Sequence, residues 1–225
     1  MNKQGLIVEP KFEDANLYLQ SGEMTKITEN IKMLANKIDG ETDGITLRKI
    51  IYWIQSNTVR LNSTQDGRKF RRTADEILIS KERTGCCDTA TLFTAIARAK
   101  QIPTMEIITL SKQWGEKLEK GITRGTEGHF FTASYIKDIN NNHSWVLIDP
   151  DKKITDLRDV RIEHLNTADR NISNNYYAFA YVRDYRDIII DNLKIDSIQN
   201  MGEIQRMAYK ACDRKDFKSR EDYER

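Results

Sequence analysis

Apolar residues in the first part of the chain recur with the spacing of helices. Ile27, Ile31, Leu34 and Ile38 fall on one helical face. Gly40 and Gly44 end that pattern and lead into a second stripe of Leu47, Ile50, Ile51 and Ile54, flanked by Tyr52 and Trp53 as packing residues. Residues 61–72 are polar and read as a loop. Thr73-Ala74-Asp75-Glu76 has the form of a capping box and predicts a short helix through Ile79. Residues 84–103 place Leu92, Ala95, Ile96 and Ala99 at helical spacing, with Ala90 and Ala97 small enough for close packing on other sides. A helix that is apolar over most of its girth belongs deep in a domain. Pro103 marks where it must have stopped.

Beyond that point the pattern turns extended. Ile107, Ile108 and Leu110 predict a strand. Phe130 to Ile136 and Trp145 to Ile148 predict two more, joined through Asn140-Asn141-Asn142, and Tyr176 to Tyr185 predicts a fourth. Residues 111–128 are polar and carry Gly115, Gly121, Gly125 and Gly128. They read as a mobile connection or lid, with 115–128 a candidate substrate-gating loop; no Gly-Lys-Ser/Thr ending marks a phosphate loop. A last helix at 201–212 is expected to bury Met201, Ile204, Ala208 and Ala211, and residues 213–225 to project into solvent. Helices followed by an antiparallel run of strands make an α+β class.

The chain's 225 residues suit one globular domain. Its 36 basic and 34 acidic residues nearly cancel, so net charge gives no push toward nucleic acid or membrane. The local basic run Arg68-Lys69-Phe70-Arg71-Arg72 reads as a solvated connector, with an acidic-partner site as the alternative. No stretch has the look of a signal peptide or the length of a membrane span. Three cysteines, two of them adjacent, do not make a disulfide framework, and a reducing cytoplasm is expected. The sequons at Asn62, Asn142 and Asn171 then carry no meaning.

Candidate chemistry gathers at three points. Cys86 falls at the N-terminus of the buried helix, where free N–H groups and the helix dipole favour thiolate. His129 opens one predicted strand and Asp149 ends the next; if the two pair, both side chains lie near one end of the sheet. Alternatives are Cys87 for the thiol, His143 or His164 for the base, and Asp151 for Asp149, since side chains repeat every second residue. Cys212 reads as structural, Asp88 as favouring the first helical turn, and Arg98 as pairing with an acid. A metal site from Cys86, Cys87 and His129 fits poorly, because structural zinc sites space their cysteines and use four ligands. No cofactor and no metal are expected.

Residues 84–103, TGCCDTATLFTAIARAKQIP, resemble the cysteine motif of the transglutaminase-like superfamily, with Cys86, Asp88, Ala90, Leu92, Arg98, Ile102 and Pro103 in register. Gln101 stands where that motif usually has glycine, and Gly85 is one place late. His129-Phe130-Phe131 resembles the histidine motif and Trp145 to Pro150 the aspartate motif, so the likeness covers roughly residues 45–155. It implies a papain-like fold with the Cys86 helix packed on an antiparallel sheet, divided as an N-terminal helical segment 1–44, a catalytic core 45–190, and a C-terminal helix with charged tail 191–225. It also implies a Cys86-His129-Asp149 triad acting on an amide or peptide carbonyl of a protein or peptide through a thioester, with water or an amine as acceptor. A peptidase, a peptide N-glycanase-like amidase and a non-catalytic protein-binding member of the fold are the alternatives. The Cys86 N–H is expected as one oxyanion donor, with Trp53, Tyr52 or Gln55 as candidates for the second.

Overall fold

In a computed structural model of the chain, residues 8–61, 67–121, 127–138 and 140–212 are described. The predicted helices form where their caps are. α1 (Glu29–Ala35) starts at Thr28, whose hydroxyl accepts from Ile31 N–H, and α2 (Asp43–Asn57) starts at Thr42, which does the same for Ile45. Two short strands follow: β1 (Val59–Arg60) pairs in parallel with β2 (Glu82–Arg83). Between them, α3 (Ala74–Ser80) has the full capping box of Thr73 and Glu76, and Lys81 ends it in the left-handed conformation at φ 58°.

α4 (Cys86–Ala99) is the centre of the molecule, with Cys87 to Arg98 all buried. α1, α2 and α3 pack on one side of it and the sheet on the other. That sheet has six antiparallel strands in the order β6-β5-β4-β3-β8-β7: β3 (Thr104–Ser111), β4 (Phe130–Lys137), β5 (His143–Ile148), β6 (Glu163–His164), β7 (Asn171–Ser173) and β8 (Tyr176–Val182). Ile108, Phe130, Ile136, Val146 and Ile148 face the helices. Met105, Ile107, Phe131 and Trp145 face the other way, under Phe12 and Tyr18 of the N-terminal stretch. β9 (Ile189–Ile190) and β10 (Leu193–Lys194) form a small hairpin before α6 (Ile198–Ala211). No helix among the described residues is long and apolar enough to cross a membrane.

Several expectations need correction. Residues 112–119 are not a loop but α5 (Lys112–Glu119): the Ser111 hydroxyl caps it by accepting from Trp114 N–H, and Trp114 is buried with Leu118 packed beside it. The glycines mask an i, i+4 apolar pair that is enough to anchor one helix against the sheet. Residues 122–126 of the proposed gating loop, and the tail 213–225, lie outside the described residues. The strand from Tyr176 ends at Val182, because Asp184 starts a 3-10 turn by accepting from Arg186 N–H. The basic run is not a solvated connector throughout: Phe70 and Arg72 are buried. Tyr52 does not pack but is exposed, whereas Trp53 lies under the Lys81 ammonium, 4.5 Å from its ring centre. Ala211 is only half-buried, and Cys212 beyond it is the buried residue.

Candidate active site

Cys86 is the first residue of α4, and Gly85 before it has no side chain to cap the helix. The first-turn N–H groups are therefore left toward the site. Asp88 does more than complement the helix dipole. Its Oδ2 accepts from the Thr84 N–H at 2.7 Å and the Thr84 hydroxyl at 2.9 Å, and lies 3.5 Å from an Arg72 nitrogen. This fixes the chain as it enters Cys86. Burial raises the Asp88 carboxyl, with the Thr84 bonds and Arg72 opposing.

Strand register brings the other two residues together. Thr132 faces Ile148 across β4 and β5. Continued one step, the register sets Asp149 opposite Phe131, two residues from His129 and on the same side by alternation. His129 Nε2 lies 2.8 Å from Asp149 Oδ1. The imidazole also interacts with the Cys86 side chain, each shifting the other's titration. With Nε2 held by Asp149, Nδ1 is the nitrogen left for the thiol. Asp151, the alternative to Asp149, points elsewhere: it is buried and engaged by Arg83 at 3.0 Å, Thr89 at 2.8 Å and Arg60 at 2.9 Å. His143 stacks on Tyr135 at the exposed far end of β5, and His164 is exposed on β6.

The His129 backbone is clamped. Thr109 Oγ1 accepts from His129 N–H at 3.0 Å and donates to its carbonyl at 2.9 Å, and Thr109 N–H reaches the same carbonyl at 3.1 Å. Gln205 of α6, fully buried, donates from Nε2 to the Thr109 carbonyl at 3.2 Å. Gly128 fits under this clamp because it lacks a Cβ, which would stand 2.2 Å from the Thr109 oxygen and 2.5 Å from Gln205 Nε2. The imidazole packs edge-on against Phe131 at 4.7 Å and beside Tyr176 at 5.7 Å. Gly128 beside His129 was the only sequence signal of this clamp; Thr109 and Gln205 carried none.

Burial pushes the Cys86 thiol up, but the His129 hydrogen bond and charge, with a bond from Phe130 N–H, bring it below its ordinary value. Burial pulls His129 down, and the bonds to Asp149 and Cys86 reverse this and push it up to about 11. Both shifts favour the thiolate and imidazolium form of the pair. Cys87 is the opposite case: burial, reinforced by Asp88 and Cys86, raises its thiol well above the ordinary value. Cys86 and Cys87 are free thiols.

A cavity of about 500 Å³ opens beside Cys86, lined among others by Lys69, Gln113, Glu127, Asn175 and Tyr176. A second, of about 360 Å³, lies on the Asp149 flank, with Tyr176 shared between them. The three candidates for a second oxyanion donor line neither cavity. Gln55 donates to the Pro150 carbonyl at 3.1 Å and accepts from Arg83 at 3.4 Å; Trp53 and Tyr52 are placed as described above.

The fold resembles a crystal structure from Cytophaga hutchinsonii provisionally named a cysteine protease, with a TM-score of 0.52 at 18% identity over 82% of this chain and 53% of that one. At this identity the likeness speaks for a shared papain-like fold, and the chain spans about half the length of that relative. No curated protein matches the sequence. The family model of the transglutaminase-like superfamily matches residues 32–150, more than half of the chain, including Cys86, His129 and Asp149, and the chain belongs to that superfamily.

Proposed function

We propose that this protein is a cysteine-dependent enzyme that attacks an amide or peptide carbonyl of a protein or peptide through a thioester. The reading rests on one observation above all, the His129 ring held 2.8 Å from the Asp149 carboxylate while it lowers the Cys86 thiol at the start of α4. In this scheme the Cys86 thiolate adds to the carbonyl carbon. The oxyanion meets the N–H groups of the uncapped α4 N-terminus, where the developing charge is stabilised without reorganisation. The His129 imidazolium gives its proton to the leaving amine, and the thioester remains on Cys86. Neutral imidazole then takes a proton from the acceptor, water or an amine, and returns it to the thiol as the acyl group leaves. Asp149 holds the Nε2–H tautomer and stabilises the imidazolium.

The free thiols suit a reducing cytoplasm. A non-catalytic role of the same fold is the competing reading. It is disfavoured by the lowered Cys86 and raised His129, a pairing that a binding scaffold has no need of. The deciding measurement is alkylation by iodoacetamide at about pH 6, with free cysteine in the same solution as reference. Cys86 should react at least about tenfold faster than the reference, and a rate no faster would remove the enzyme reading.

A further inference from the structure

Lys69 is the residue of the basic run that the site has not yet absorbed. Its neighbours are all committed. Arg68 pairs with Glu82 at 2.7 Å, Arg71 donates to the Asp196 carbonyl at 2.9 Å, and Arg72 is buried among the Glu82 and Glu76 carbonyls, Ser80 and Asp88. Lys69 makes no ion pair with any described carboxylate. It lines the cavity beside Cys86, and its ammonium stands 3.9 Å from where a Cβ on Gly85 would be, one residue from the thiol.

The backbone is bent to put it there. Phe70 adopts φ 64°, a left-handed conformation that bulky residues rarely take and that costs free energy unless the surroundings impose it. What imposes it is the burial of the Phe70 ring against Phe130 and Tyr185, 6.0 and 6.3 Å away. The turn closed by Arg71 N–H on the Arg68 carbonyl sends Phe70 into the core and leaves Lys69 over the entrance to α4. Among the described residues, the one carboxylate lining the cavity is Glu127, which pairs with Lys117 at 2.8 Å. Apart from Cys86 and Lys69, the rest of the described polar lining is uncharged, with Ser111, Gln113, Asn175 and Gln205 among it. Gln205 Oε1 is buried without a partner.

We propose that Lys69 selects an acyl donor carrying a carboxylate close to the attacked carbonyl, as an acidic side chain would. This deepens the proposed function and rests on it. The Lys69 ammonium has only the Phe70 ring face, 5.4 Å away, and no described carboxylate against it, so beside the Cys86 thiol that the acyl donor itself engages it favours an anionic group over its neutral isostere.

Iodoacetate and iodoacetamide differ only in that charge and report on Cys86 directly. The ratio of their alkylation rates should fall about fivefold in Lys69→Met and further in Lys69→Glu, and added salt should lower the wild-type ratio. An unchanged ratio in Lys69→Met overturns the inference, because the His129 charge that also attracts iodoacetate is the same in both proteins. A second measurement does not depend on the thiol. In Cys86→Ala, glutarate should bind more tightly than glutaramide, and Lys69→Met should reduce the difference; equal affinities with Lys69 in place, or a difference that Lys69→Met leaves unchanged, overturn the inference as well. If Cys86 is unreactive while glutarate still binds through Lys69, it is the enzyme reading that fails and the anion site that stands.

Discussion

The two ends of α4 each carry a perturbed polar group and use them in opposite ways. At its start, Cys86 is half-buried, the helix is uncapped, and the thiol faces a cavity and one movable partner, His129. At its last turn, Arg98 is fully buried and every nitrogen is spent. Nε and one terminal nitrogen donate to the Thr104 carbonyl at 2.9 and 2.6 Å. The same terminal nitrogen also donates to the Arg183 carbonyl at 2.5 Å, and the other one donates to the Gln20 carbonyl at 3.0 Å and to Thr25 Oγ1 at 2.8 Å. Burial pulls the guanidinium down to about 10, with Glu106 and Asp184 opposing. A deeply buried charge with a shifted pKa is thus no sign of chemistry by itself. What separates the two ends is whether bonding capacity is left over for something outside the protein.

The comparison breaks if the two ends respond alike to mutation. Cys86→Ala should abolish alkylation at this position and lower any acyl-transfer rate by about 10⁴-fold or more. It should leave the denaturation midpoint nearly where it was, because one thiol at a cavity wall holds little together. Arg98→Met should do the reverse. It strands the Thr104, Gln20 and Arg183 carbonyls and leaves Glu106 and Asp184 without their cation, at a cost of about 3–5 kcal/mol in urea denaturation, while the folded fraction keeps its Cys86 alkylation rate. A large loss of stability in Cys86→Ala, or none in Arg98→Met, would mean that the division between the ends is drawn wrongly.

Two smaller effects sharpen the reactive end. Thr109→Val removes the hydroxyl that both accepts from and donates to the His129 backbone. Turnover should drop about tenfold through kcat with KM little changed, since a loosened base slows the chemical step more than binding. Equal loss in both constants would assign Thr109 to the binding surface instead. The last effect is a displacement along the pH axis. Cys86 is lowered and His129 raised to about 11, so the ion pair exists from below the ordinary thiol range up to the point where imidazolium loses its proton. The rate of Cys86 alkylation should therefore reach half its plateau at a pH below the ~8.5 of free cysteine, and His129→Ala should move that limb upward. A limb at the free-cysteine position in the wild type would show that the pair does not form in solution.

Much of the frame was legible because its signals are local. The α4 stripe, the Thr73 capping box, the β4 and β5 alternation and the short motifs around Cys86, His129 and Asp149 each lie within a few neighbouring residues. What was missed is long-range or disguised. α5 hid behind glycines, although Trp114 and Leu118 mark its buried face. Asp149 and Asp151 are alike in sequence, with equal alternation. Only the position of Arg83, 68 residues away from Asp151 along the chain, assigns one to a structural knot and leaves the other to His129.

By itself, then, the sequence determined the kind of elements, the class of fold and the short set of residues able to act as thiol, base and orienting acid. Hydrophobic period and motif spacing are properties of neighbouring residues and survive without any tertiary contact. The tertiary structure decided which of the paired candidates meet, that Gln205 and Thr109 hold the His129 backbone, and that Lys69 stands at the cavity while Arg98 is locked away. Those outcomes depend on distances between residues up to about a hundred positions apart, and such distances exist only once the chain has packed.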